Sequence, residues 1–257
     1  MSRSPSGLIH RMLALPFRIG MHGMDGVVSR SGIAALPWLA LGLLASWWVY
    51  VPLHELFHAW GCQFSGGTVS RLEIDPMYGA TWLAGFFPDI TPGSEYAGRL
   101  SGFDTGGSDA VYLCTVYFPY LLTVFVGVPA LALAAQRRCA VCFGAAMPWA
   151  YTPFLSLTGD FYEIGSILVS RLAASWLPDA VERWRGDDLF LLVGNLYGPA
   201  IGGNWADTMG IFLALMAGSI AAFLTFALGY RLYAFWQADP HFLPAGEHRH
   251  VLDPHSD

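Results

Sequence analysis

Charge is what this chain has least of. Of its 257 residues only 12% are Asp, Glu, Lys or Arg, against 54% hydrophobic, whereas a soluble domain usually carries about 25% charged residues. The shortage is concentrated. No charged residue falls between Arg30 and Glu55, between Asp109 and Arg137, from Cys139 to Gly159, or from Thr208 to Tyr230. Each stretch supplies the roughly 20 residues that a helix needs to cross a bilayer. The net charge of -6 is spread over the intervening loops, which indicates no nucleic-acid partner. Cysteine is also scarce. Four of them (Cys62, Cys114, Cys139, Cys142) set no disulfide framework in a chain this long. The C-x-x-C of Cys139 and Cys142 opens an apolar run, so it reads as two small buried residues rather than as a metal or redox pair. A sustained apolar signal region is missing too, because Arg3, Arg11, Arg18 and Arg30 interrupt residues 1–31. That segment reads as an amphipathic helix on a membrane surface or as a poorly ordered tail. No internal repeat is evident.

What is present defines a membrane all-α fold with four transmembrane helices, or up to six if two broken apolar segments also cross. The expected spans are Ile33–Trp60, with Pro37 and Pro52 inside it, then Val111–Ala135, Cys139–Thr158 and Thr208–Tyr230. Arg137 and Arg138 mark a tight turn between the second and third. After the first span the composition shifts to Gly, Pro and acidic residues. There "SRLEID" (Ser70–Asp75) alternates polar and apolar, "PMYG" offers turn chemistry, and "ATWLAGFF" is the expected returning strand of a small β-hairpin. Residues 88–108, rich in Gly, Ser and Asp, read as a mobile loop. "SLTGDFYEIGSILVSRLAASWL" suits a short amphipathic or half-buried helix, and "LFLLVGNLYGPAIGGNWA" a re-entrant or interfacial piece. The organisation is thus an N-terminal segment 1–31, an integral membrane domain 32–236 with its core at about 33–165, and a polar tail 237–257. The tail histidines (His241, His248, His250, His255) read as solvated.

The chemistry sits at the end of the first span, in "VPLHELFHAWGC" (Val51–Cys62). His54, Glu55 and His58 form H-E-x-x-H, and positions four apart share a helix face, so both imidazoles can reach one ion. Neutral imidazole suits Zn2+, which in catalytic sites takes three protein ligands and leaves one position open. Glu55, beside the first ligand, is placed to be the general base. Ionisable groups at membrane depth usually face a cavity with partners; the plain alternative is a headgroup-level cluster with no metal. The third ligand follows from parity. If the first span leaves the histidines on one side, the second returns and the third delivers Asp160 to that same side. Glu163, three residues on, is the alternative ligand, and an N-cap after Gly159 is the structural alternative for Asp160.

With these motifs in order, the chain resembles the site-2 protease family of intramembrane zinc metalloproteases. "HELFH", the "GGTVSRLEID" hairpin and "TPFLSLTGDFYEIG" follow the family's sequence of parts over about Ile33–Gly165. The resemblance implies His54, His58 and Asp160 as zinc ligands, Glu55 as base and a transmembrane protein or peptide as substrate. It also implies an integral protein of a bacterial inner membrane. The family usually has Asn and prolines before Asp-Gly; here Thr152 and Pro153 precede Gly159-Asp160, so Thr152 is the candidate for the substrate-orienting role. The basic residues favour a cytoplasmic N-terminus and a site toward the outer side, whereas the family more often has its zinc nearer the cytoplasm. A reading from another class is a non-catalytic zinc-binding membrane protein that binds a client helix.

Overall fold

The computed structural model describes residues 5–176, 182–198 and 202–238. In chain order these form α1 (Pro5–Ser31), a 3-10 turn, α2 (Ala35–Phe64), β1 (Thr68–Ile74), α3 (Ala80–Leu83), β2 (Ile90–Pro92) and β3 (Gly98–Asp104). There follow α4 (Asp109–Tyr117), α5 (Tyr120–Leu122), α6 (Val128–Arg137), α7 (Ala140–Leu155), α8 (Asp160–Ala173), α9 (Leu189–Tyr197) and α10 (Trp205–Ala238). Four helical stretches are long and apolar enough to cross a membrane: Met12–Phe64, Tyr120–Arg137, Ala140–Ala173 and Trp205–Gln237. They are compatible with an integral membrane protein. Leu36, Trp38, Leu41 and Leu44 on α2 are exposed, a surface suited to lipid and not to water.

Two of the expected segments differ in detail. The N-terminal segment is a helix continuous, through the 3-10 turn, with the first span. The second span is broken: α4 ends at Tyr117, a turn passes through Pro119, and Thr123–Gly127 is a wide π-helical turn before α6. Pro119 and Pro129 lie at these departures, and neither can donate to the carbonyl four residues back.

The chain divides into two compact units. Among the described residues, the first comprises 5–46, 123–150 and 226–238. Here α2 and α7 approach backbone to backbone. A Cβ on Gly42 would lie 2.1 Å from the Val141 carbonyl oxygen, and one on Gly144 would lie 2.0 Å from that of Leu39. Small residues permit such contact between apolar helices. Polar groups fasten it: Ser46 Oγ donates to the Ala145 carbonyl at 2.6 Å, and Trp149 Nε1 donates to Ser46 Oγ at 2.5 Å. At the α6–α7 turn Cys139 and Cys142 form a disulfide, and Cys142 is exposed. This corrects the expectation of two small buried residues, because the αL conformation of Arg138 ends α6 and puts the turn at the surface.

The second unit comprises, among the described residues, 47–122, 151–176, 182–198 and 202–225. Its sheet has three strands in the order β2-β1-β3, with β1 parallel to β2 and antiparallel to β3. The expected returning strand is absent. Asp75 accepts from Met77 N at 2.7 Å and Gly79 turns with φ +79, so Ala80–Leu83 becomes a single helical turn. The partners of β1 come instead from residues 90–92 and 98–104, inside the stretch read as a loop. Leu72 and Ile74 of β1 pack on Val51, Leu56 and Ala59 of α2, and Trp48 Nε1 donates to the Met77 carbonyl at 2.6 Å. The sheet is thereby fixed along α2. On the other side of the unit, Val116 and Tyr120 pack on Phe161 and Ile164 of α8 and Ala222 of α10. Arg185 clasps Asp109 through two hydrogen bonds of 2.7 and 3.0 Å, and Arg171 joins at 3.5 Å. These contacts, the Arg185 hydrogen bonds foremost, hold the Asp109 carboxyl below the usual carboxylate range. With nine residues α9 is too short to cross a bilayer. Part of its expected segment (199–201) and the tail histidines lie outside the described residues.

Candidate metal centre

The centre is assembled from four helices of the second unit. Tyr50, His54 and His58 follow one another at intervals of four along α2, so they stack on one face. The Nε2 atoms of His54 and His58 lie 3.2 Å apart. Asp160 Oδ2 is 3.3 Å from the first and 3.6 Å from the second. These three side chains are a cluster able to hold a metal ion. Asp160 is the first residue of α8, where the exposed amides of a helix N-terminus favour a carboxylate. Its own backbone N–H is met by Ser156 Oγ at 3.1 Å, and Gly159 occupies the cap position. The carboxylate therefore turns to the histidines and does not cap the helix.

Each of these side chains is held from behind. Tyr50 OH and His54 Nδ1 are 3.0 Å apart. His58 Nδ1 lies 2.9 Å from the Thr115 carbonyl oxygen, which can only accept, so its Nδ1 carries the proton and Nε2 presents a lone pair. Tyr120 OH donates to Asp160 Oδ2 at 2.5 Å. Tyr50 and Tyr120 are wholly buried. Such outer hydrogen bonds fix the orientation of ligating imidazoles and carboxylates.

The donor separations suit a tetrahedral metal ion such as zinc. Tetrahedral zinc with bonds of 2.0–2.1 Å needs ligand atoms about 3.3–3.4 Å apart, and the three observed separations of 3.2, 3.3 and 3.6 Å bracket that value. Two imidazoles and one carboxylate are also a ligand combination characteristic of catalytic zinc sites with an open position.

The cluster lines a cavity of about 410 Å³, together with Glu55, Tyr112, Glu163 and residues of β3. Glu55 lies beside β3: a Cβ on Gly98 would be 2.3 Å from Glu55 Cγ. Glu163 is buried at 7% exposure and accepts a hydrogen bond from Tyr112 OH; it stands on the cavity wall, outside the cluster of three. Thr152 is buried on α7, beside the Tyr50 hydroxyl on the side that supports His54. Arg99 of β3 pairs with Asp187 at 3.0 Å, and both line the same cavity.

All four residues of the expected site, His54, Glu55, His58 and Asp160, thus line one cavity. Sequence reasoning missed Tyr50, Tyr120 and Thr115. The first had a signal: it lies four residues before His54, the same interval that joins the histidines. The other two act from a broken helix, one of them through its backbone, and carry no local signal. Comparison with protein-family models, with curated proteins and with solved structures returned no match.

Proposed function

We propose that the chain is a zinc-dependent endopeptidase that cleaves membrane-protein substrates at or within the bilayer, as the site-2 protease family that it resembles does. The observation that carries this reading is the convergence of two imidazole Nε2 atoms and one carboxylate oxygen within 3.6 Å of one another, with Glu55 lining the same cavity. The four apolar helices support the membrane setting.

His54, His58 and Asp160 would hold the zinc ion, which would supply Lewis acidity toward a peptide carbonyl and toward water. Glu55, on the wall of the same cavity, would accept a proton from the attacking water and pass it to the leaving amine. The hydrogen bonds with Tyr50, the Thr115 carbonyl and Tyr120 keep the ligands in place, so little reorganisation accompanies the reaction. A transmembrane helix satisfies its own backbone hydrogen bonds, so its scissile bond must be unwound first. β3 is an edge strand of its sheet and lines the cavity; an extended segment added along it is held open beside Glu55. Glu55→Gln tests the assignment. Zinc should stay bound while cleavage of a co-expressed single-span reporter stops. Cleavage retained by that variant would overturn the proposal.

A further inference from the structure

We infer that Cys139-Ala140-Val141-Cys142 is a thiol–disulfide exchange site whose co-substrate is a dithiol. It uses none of the residues assigned to zinc. The two Cα atoms are 5.3 Å apart, inside the range that a disulfide bridges without backbone movement, and the sulfurs are joined. The site lies at the turn between two apolar stretches that end at Arg137 and begin at Ala140. Cys142 is exposed within the first turn of its apolar stretch, beside the charged, exposed Arg137 and Arg138 that mark the aqueous end of the turn, which gives an incoming thiolate an approach.

The local structure distinguishes the two sulfurs. Cys139 precedes α7, and the Cys142 backbone N–H, in the first turn of that helix, donates to Cys139 Sγ at 3.4 Å. Exposed Arg137 and Arg138 come immediately before it. Negative charge is therefore best received on Cys139, which makes it the leaving sulfur when Cys142 is attacked. In the first step a thiolate of the dithiol bonds to Cys142 Sγ, the Cys139–Cys142 bond breaks, and its electron pair leaves with Cys139. In the second step the other thiol of the dithiol, as thiolate, attacks its own mixed-disulfide sulfur and releases Cys142. The protein disulfide gains two electrons and becomes two thiols, with two protons taken up; the dithiol loses the same and becomes a disulfide.

A purely structural role accounts poorly for this bond. The loop it closes is short, with a sequence separation of 3, where the gain from restricting the unfolded chain is small. The turn is already held by Cys139 N to the Ala134 carbonyl at 3.2 Å, by Phe143 N to the Cys139 carbonyl at 2.9 Å and by Arg30 to the Arg137 carbonyl at 3.0 Å. None of the three involves a cysteine sulfur.

The test is differential alkylation of the full-length wild-type chain in detergent, using N-ethylmaleimide before and after dithiothreitol under native conditions, with peptide mass mapping. Labelling of Cys139 and Cys142 should rise at least tenfold after dithiothreitol, with buried Cys62 unchanged, and should fall back when the reduced protein is treated with oxidised glutathione before the label is added. In Cys142→Ser, Cys139 should label without reductant. Full labelling of both cysteines in the untreated wild type would overturn the inference. So would a disulfide that dithiothreitol opens only after the protein unfolds, since that bond would be a structural staple.

Discussion

Gly98→Ala isolates the placement of Glu55, the proposed general base, from everything else in the site. Gly98 opens β3 with its backbone against Glu55. An added Cβ would lie 2.3 Å from Glu55 Cγ and 2.8 Å from Cδ, where ordinary contact begins at 3.4 Å. The atoms in the way belong to a side chain, so Glu55 retreats by about 1 Å while the sheet stays. A displacement of about 1 Å at a reacting group lowers the rate by about 100-fold. Glu55 is not one of the three clustered ligands, so zinc content should be unchanged. Thermal unfolding should stay within about 3 °C of wild type, which corresponds to roughly 1 kcal/mol in a chain of this size. The assay is turnover of a single-span membrane-protein reporter by purified protein, with zinc content and unfolding measured on the same samples. Turnover within threefold of wild type, in a folded and zinc-loaded Gly98→Ala protein, would refute the assignment of Glu55 as the base.

Further outcomes follow from the same geometry. Asp160→Ala should lose stoichiometric zinc, whereas Glu163→Gln should keep it, as measured by elemental analysis; the reverse result would make Glu163 the third ligand. Tyr50→Phe and Tyr120→Phe each remove one outer hydrogen bond and should weaken zinc binding about 10- to 100-fold in chelator competition, without loss of fold. The Asp109–Arg185 pair sets an acid limit. A carboxyl depressed in the folded state contributes stability above its unfolded value of about 3.9, and that contribution disappears as pH falls through the folded value. The unfolding temperature of wild type should therefore fall below about pH 4 more steeply than that of Asp109→Asn; parallel acid limbs would show that the pair contributes nothing.

The helices were legible because lipid penalises charge so heavily that four uncharged stretches stand out without any periodicity argument. The histidine pair was legible because helical spacing alone makes His54 and His58 neighbours. Asp160 needed no local motif, only the parity of crossings. The sheet was misread for a physical reason. Gly98 and Gly102 made β3 look like loop, yet both mark close approach: a Cβ on Gly98 meets Glu55, and one on Gly102 would lie 2.6 Å from Ser70 Oγ. Glycine inside a strand often has this meaning. "ATWLAGFF" failed as a strand because Asp75 and Gly79 impose a tight turn whose geometry outweighs the apolar pattern. The break at Pro119 was hidden inside an uncharged stretch long enough to pass for one helix, and with it went the positions of Thr115 and Tyr120.

The central claim is a zinc ion held by two imidazoles and one carboxylate. X-ray absorption at the zinc edge of the purified protein tests it most directly. The account predicts about one zinc per chain, in a shell of nitrogen and oxygen ligands only at 2.0–2.1 Å, with zinc lost in Asp160→Ala. Absence of stoichiometric zinc, or sulfur in the shell at about 2.3 Å, would contradict it.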